Sequence, residues 1–324
     1  MTDRGDGTRL RLPLIRGGST SEAELRAGPG VAWAPVEATV SESPFRQGIR
    51  RLRKSVTALV GLGIVVVLLV VAIFADVLAP QSPTANNQAA MFQRPSWDHP
   101  LGTDQLGRDM LSRIIHGTRI SLLVGVSSVL LALFVGVPFG MIAGYYGGRI
   151  DRGIMRAMDL ILAFPIYLLA IILMVIFTPT AGLIGTMKVT GAIAIVRIPI
   201  YARLVRGSVL SIKEKEYIEA SRALGVRDPS ILFRHVLPNC LAPIIVTTTL
   251  GIATSIIVEA TLSFLGLGTQ PPTPSWGWDL KANVAFIQAN AWLSLFPGLA
   301  IFITVLGFNL FGDGLRDALD PRLK

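Results

Sequence analysis

The hydrophobic positions of this chain fall in long unbroken runs, with neither the alternation of a half-buried strand nor the single stripe of a surface helix. The first run covers 56–77 and carries no charge between Ser55 and Ala75. About 20 residues at ~1.5 Å rise span ~30 Å, one hydrocarbon thickness. Comparable runs recur at 120–143, 157–177, 183–202, 241–262 and 292–310. The pattern predicts an all-α polytopic membrane protein with six transmembrane helices. The run at 183–202 is the least regular, because Arg197 and Pro199 lie inside it. An arginine at a helix centre costs roughly 2.5–3.5 kcal/mol on insertion scales, unless it snorkels to an interface. Arg203 and Arg206 mark such an interface, so Arg197 is expected near the cytoplasmic end of its span. Asp159, at the start of the third run, is expected at the interface for the same reason.

Between the runs the chain is polar. Residues 1–45 lack any sustained apolar period, and such a composition cannot bury enough surface to offset ordering. A disordered cytoplasmic tail is expected there, too long and polar for a cleaved signal's n-region, so the first span reads as a signal-anchor. The expected divisions are this tail (1–45), a basic collar and first helix (46–79), an extracytoplasmic segment (80–119) and a five-helix core (120–324). The core contains a cytoplasmic loop at 206–239. Lysine and arginine set the orientation. The collar, the 149–156 loop, the 203–234 loop and the C-terminal tail hold eighteen of them, and the opposite side holds six. Both termini are therefore expected in the cytoplasm.

Composition agrees with a membrane protein. Of 324 residues, 51% are hydrophobic and 16% charged, with a mean hydropathy of +0.57; soluble domains carry about 25% charged residues. The net charge of +9 follows from topology and does not call for nucleic acid. One cysteine, Cys240, excludes an internal disulfide, and His99, His116 and His235 are too scattered to form a ligand cluster. No metal site is expected. No Gly-Lys pair exists, so there is no P-loop, and no zincin, nucleophile-elbow or paired-carboxylate pattern occurs. The chain is read as a transport protein that hydrolyses nothing itself.

The longest charged stretch between apolar runs is 213–239, which must stand in water at a membrane surface. Residues 214–224 favour helix. Gly225 sits where a left-handed residue ends that helix. Asp228-Pro229 reads as an N-cap and first residue of a second helix, and Pro238 as its close. Tyr217, Ala220 or Ser221, and Leu224 share one face, which suits a groove in a partner protein. The same residues also describe an ordinary solvated loop. Glu219-Ala220-Ser221, Gly225 and Leu237-Pro238 resemble the signature of ABC-importer permeases, with Ser221 in place of alanine and His235 in place of isoleucine. In that family the loop couples to an ATP-hydrolysing subunit. The resemblance thus implies a coupling role for Glu214, Tyr217, Glu219, Ala220, Ser221, Leu224, Gly225, Leu237 and Pro238.

Three more blocks resemble the dipeptide and oligopeptide (DppC/OppC) class of that family. They are Gly102-Thr103-Asp104 through Arg108-Asp109 with Ser112-Arg113 and Thr118 to Leu122, Glu259 to Gly268 with Gln270 to Gly277, and Phe308 to Pro321. Read by itself, the first is a helix start capped by Thr103 or Asp104. The resemblance covers nearly everything but the tail. It implies a type I ABC-importer permease architecture in the cytoplasmic (inner) membrane of a bacterium or archaeon. It further implies a second, homologous permease, one or two ATP-binding subunits carrying ATP and Mg, and an extracytoplasmic substrate-binding protein; the chain itself needs no cofactor. Solutes would be dipeptides or oligopeptides. Nickel or another small solute is the alternative within the class, and a gradient-driven secondary transporter the alternative outside it. Glu259 and Arg197 are candidate path residues. Glu259 reads equally as capping amides in the 263–268 turn or as wetted at the interface. The 271–278 stretch reads as an interfacial aromatic anchor, and Asp313, Arg316 and Asp317 as a helix-end ion-pair set.

Overall fold

The computed structural model describes residues 50–319. The 1–45 tail, Arg46 of the collar and the closing residues from Asp320 to Lys324 lie outside the described residues. The described chain is helical with no strand, only isolated bridges such as Thr103 to Asp109.

Helix α1 (Val56–Ile73) begins at Ser55, whose hydroxyl accepts the Ala58 N–H at 3.3 Å. Helix α2 (Met110–Tyr146) starts ten residues before the expected boundary, because Asp109 and not Thr103 or Asp104 caps it. The Asp109 carboxylate accepts the Ser112 N–H at 2.8 Å. Asp104 instead closes the preceding turn, accepting from the Leu106 and Arg108 amides at 2.8 and 2.9 Å.

The third run is not one straight span. Helix α3 (Gly148–Leu162) and helix α4 (Ile166–Phe177) meet at 87°. Pro165 supplies the reason, since the residue before a proline is pushed out of the helical region. The 12 residues of α4 reach only ~18 Å. Five helical stretches are therefore long and apolar enough to cross a bilayer, and the bent pair counts as a sixth only when both halves are taken together.

Helix α5 (Gly182–Lys213) runs 32 residues straight through Pro199. Arg197 consequently lies mid-helix, buried against α8 instead of snorkelling from an end. After the short α6 (Glu216–Ala223), helix α7 (Asp228–Ile231) passes through a π turn at Leu232–Val236 into α8 (Leu237–Phe264). Two expectations fail here. Arg227, not Asp228, is the N-cap, and Pro238 does not close the helix. In the wide turn the Leu237 N–H reaches back to the Leu232 carbonyl, which absorbs the donor and space that Pro238 removes from an α-helical ladder. Helices α9 (Trp276–Asn283) and α10 (Trp292–Leu319) complete the chain.

The bundle is organised by close backbone approach. Gly136, Gly140 and Gly144 form one face of α2, and a Cβ on Gly140 would lie 2.5 Å from the Ala202 carbonyl oxygen of α5. Without a hydrophobic drive between helices in lipid, such small-residue seams let packing and backbone contacts do the joining. A second seam joins α1 to α10, where Gly61 faces the Phe311 backbone and Gly314 faces Ala58.

Candidate coupling loop and solute path

At the end of α5 the chain turns at Glu214 into α6, a two-turn helix. Two turns have no stability of their own in water. The helix is held by Ile218, fully buried in a cluster with Val209, Ile212, Ile231, Val236 and Cys240. Its opposite side is open: Tyr217, Glu219 and Ala220 are exposed, and Leu224 is 83% exposed. Gly225 ends the helix at φ +74°, a left-handed conformation that costs any residue with a Cβ about 1–2 kcal/mol. Its N–H bonds the Arg222 carbonyl at 2.9 Å, and the Val226 N–H bonds the Ser221 carbonyl at 3.1 Å. This double closure is a Schellman turn. The Ser221 hydroxyl is spent on the Tyr217 carbonyl at 2.7 Å. Leu237 and Pro238 are not part of the exposed face; they sit at the π turn, half-buried and exposed respectively.

Tyr145, at the end of α2, ties the two arms of the loop together. Its hydroxyl donates to Asp228 at 2.7 Å and accepts from Arg222 Nε at 3.4 Å, while the Arg222 guanidinium lies 4.9 Å from its ring centroid. This explains why Asp228 is not free to cap. Nearby, Arg206 grips Asp151 with two bonds of 2.5 and 2.6 Å, and Arg203 reaches Asp159 at 2.5 Å. Asp159 is half-exposed in this pair. The pairs fix α3 against α5, so α6 stands on a braced platform.

The opposite end joins two of the remaining motif blocks. Arg113, one turn into α2, binds Asp279 of α9 at 2.7 Å, with both side chains 1% exposed. Burial pushes the Asp279 carboxyl up, with the Arg113 guanidinium opposing the shift. Trp276 is not an interfacial anchor. It is fully buried, donates its indole N–H to the Ile114 carbonyl at 3.0 Å, and fills the notch at Gly117. Glu259 caps no amide and meets no water-facing surface. Fully buried, it accepts from the hydroxyls of Ser263 at 2.8 Å, Ser275 at 3.0 Å and Ser121 at 3.2 Å. Two motif blocks far apart in sequence, one holding Ser121 and the other running from Glu259 to Ser275, therefore meet on one carboxylate.

A groove of about 490 Å³ opens between α5, α8 and α10, lined by residues that include Leu204, Val246, Thr247, Leu250 and Arg316. Among the described residues Asp313, Arg316 and Asp317 form no ion pair with one another, and Arg316 lines this groove instead. Arg197 lines a separate small cavity of about 30 Å³ and is bonded to the Thr254 hydroxyl. Sequence reasoning missed Ile218, Tyr145 and the glycine seam. The seam alone had a readable signal, the four-residue spacing of Gly136, Gly140 and Gly144.

A family model described as the binding-protein-dependent transport system inner membrane component matches residues 136–324, more than half the chain. The chain belongs to this family. A second model, the N-terminal TM domain of oligopeptide transport permease C, matches residues 43–95 of the permease. The permease is 47% identical over 290 residues to the dipeptide transport system permease protein DppC of Alkalihalophilus pseudofirmus, covering 90% of this chain and 94% of that one. It is 46% identical over 284 residues to the glutathione transport system permease protein GsiD of Pectobacterium atrosepticum, covering 87% and 92%. Among solved structures, an inward-facing MetNI methionine ABC transporter matches with TM-score 0.53 at 19% identity, over 65% of this chain and 98% of that chain. That likeness concerns the fold, a type I ABC-importer permease. The chain is thus a multi-pass inner-membrane permease subunit of the DppC/OppC class.

Proposed function

We propose that this permease imports short peptides, paired with a second, homologous permease to enclose the solute path. One or two partner subunits would bind and hydrolyse ATP with Mg, and an extracytoplasmic binding protein would deliver the solute. The observation that carries the reading is α6: an exposed face of Tyr217, Glu219, Ala220 and Leu224 on a helix locked from behind by Ile218. A rigid platform with one uncovered face transmits force; a floppy solvated loop would not. The eighteen-to-six distribution of lysine and arginine supports α6 and both termini in the cytoplasm of a bacterial or archaeal cell. The division into tail (1–45), collar and first helix, extracytoplasmic segment (80–119) and core rests on the pattern of apolar runs, with the same distribution assigning each part its side. Peptide as the solute is supported by the relatives, named for dipeptide and for glutathione transport.

ATP binding would close the partner pair and carry the docked α6 with it. The bundle then shifts between inward- and outward-facing forms, each ligand biasing the equilibrium only by its differential affinity. Gly225→Glu tests the coupling. The position faces open space, so a side chain there disturbs the docked face and the left-handed bend without a clash inside the subunit. In proteoliposomes of the assembled importer, peptide uptake should be lost while ATP turnover continues and the subunit remains in the membrane. Undiminished uptake would refute the assignment.

A further inference from the structure

Arg197 is an arginine without an acid. It lies halfway along α5, sixteenth of its 32 residues counting from Gly182, and its guanidinium donates through Nη2 to the Thr254 hydroxyl of α8. The half-buried and buried acids around the spans are already taken, and Asp313 and Asp317 stand exposed at the end of α10. Asp151 is held by Arg206, Asp159 by Arg203, Asp279 by Arg113 and Glu259 by three serine hydroxyls. Gly251, three residues before Thr254, leaves the space the guanidinium uses: a Cβ there would lie 3.3 Å from Nη1. The helix is notched for this cation and offers it one neutral hydroxyl.

Arginine keeps its charge in proteins. A charge inside a bundle with a single neutral bond is costly, and intramembrane cations of this kind face a path or a partner. The path is at hand. Leu250 is one turn from Thr254 and Leu204 is two turns from Arg197, and both line the groove of about 490 Å³. No Asp or Glu lines that groove, and its one charged lining residue is an arginine, Arg316. Thr254 itself is exposed on the surface of the chain. Arg197 itself borders a small cavity of about 30 Å³ with Ile166, Ile193, Val196, Ile200 and Val258, one to two turns beyond the groove's lining. An apolar groove with a planar five-donor fork that close suits a solute with an apolar body and a single carboxylate, which such a fork binds through two parallel bonds.

We propose that Arg197, positioned by Thr254 and Gly251, recognises the carboxylate of the solute as it passes mid-bundle. Resting on the peptide reading above, this assigns Arg197 to the C-terminal carboxylate of the peptide.

The test uses the complete importer with its binding protein in proteoliposomes and compares Ala-Ala with its C-terminal amide. Each rate is divided by the measured occupancy of the binding protein, so selection there cancels. The wild type should favour the free acid at least tenfold. Arg197→Gln should bring the ratio to near one, and Arg197→Lys should keep part of the preference, at equal amounts in the membrane. A merely structural Arg197 would lower both rates together and leave the ratio unchanged, which would overturn the proposal. Should Arg197→Gln transport neither solute, Thr247→Cys in the groove lining, with Cys240→Ala, gives a second reading: Ala-Ala should slow maleimide labelling during turnover and the amide should not. Equal labelling overturns the proposal. If the wild type takes up neither solute, the peptide reading itself fails, a result distinct from an unaltered ratio.

Discussion

Ile218 and Leu224 sit on opposite sides of one two-turn helix, and truncating each to alanine should separate anchoring from docking. Ile218 is fully buried; Leu224 is 83% exposed. Replacing a buried isoleucine with alanine costs about 2–5 kcal/mol, the spread reflecting how far the site collapses. Because α6 cannot stand alone, most of that cost falls on its attachment to the cluster around Val209, Ile231 and Val236. A loss of ~3 kcal/mol raises the population of the detached loop about 150-fold. Ile218→Ala should therefore speed amide hydrogen exchange across 216–226 by roughly two orders of magnitude in the purified subunit, where opening is local. Leu224→Ala removes nothing buried in the subunit and should shift that exchange by less than about 0.5 kcal/mol. Against the ATPase subunit the ranking changes. Burying a leucine contributes about 1.5–3 kcal/mol, so Leu224→Ala should weaken co-purification about tenfold or more while leaving the loop ordered. Exchange across 216–226 that is identical in Ile218→Ala and wild type would refute the anchoring argument, and unaltered partner affinity in Leu224→Ala would refute the docking one.

The other expectations concern the frame that holds the loop. Gly140→Ala places a Cβ 2.5 Å from the Ala202 carbonyl, so overpacking should lower stability by about 1–3 kcal/mol, read as a drop in Tm in mild detergent. Arg113→Ala strands the buried Asp279 carboxylate and should cost about 3–5 kcal/mol, whereas the paired change Arg113→Met with Asp279→Leu should recover most of it. Equal losses in the single and double variants would mean that the charges are not what the outer junction depends on. Tyr145→Phe deletes the bond to Asp228 and should loosen the loop by about 1 kcal/mol, seen as faster proteolysis at 222–228 with the bundle intact.

The chain by itself determined five of the lipid-crossing runs and the helix–glycine–helix form of the 213–239 loop. Each is a local property. A run of apolar residues must leave water wherever it is, and Gly225 occupies φ +74° because the turn there demands it. Apart from the bend at Pro165, what failed depended mostly on a second element. Asp228 carries the residues of an N-cap, yet Tyr145 from 83 residues away claims its carboxylate. Pro238 carries the signal of a helix end, yet a π turn carries the helix past it. Arg197 looked able to snorkel because helix length past Pro199 could not be read, and Trp276 looked interfacial because the notch at Gly117 lies on another helix. Glu259 shows the division most plainly. Its neighbours in sequence offer Ser263 alone, and the hydroxyls of Ser121 and Ser275 reach it only once α2, α8 and the strand of chain before α9 converge. Periodicity reports which face of an element is apolar; which partner that face meets is decided by packing across the bundle, and there the long-range contacts choose.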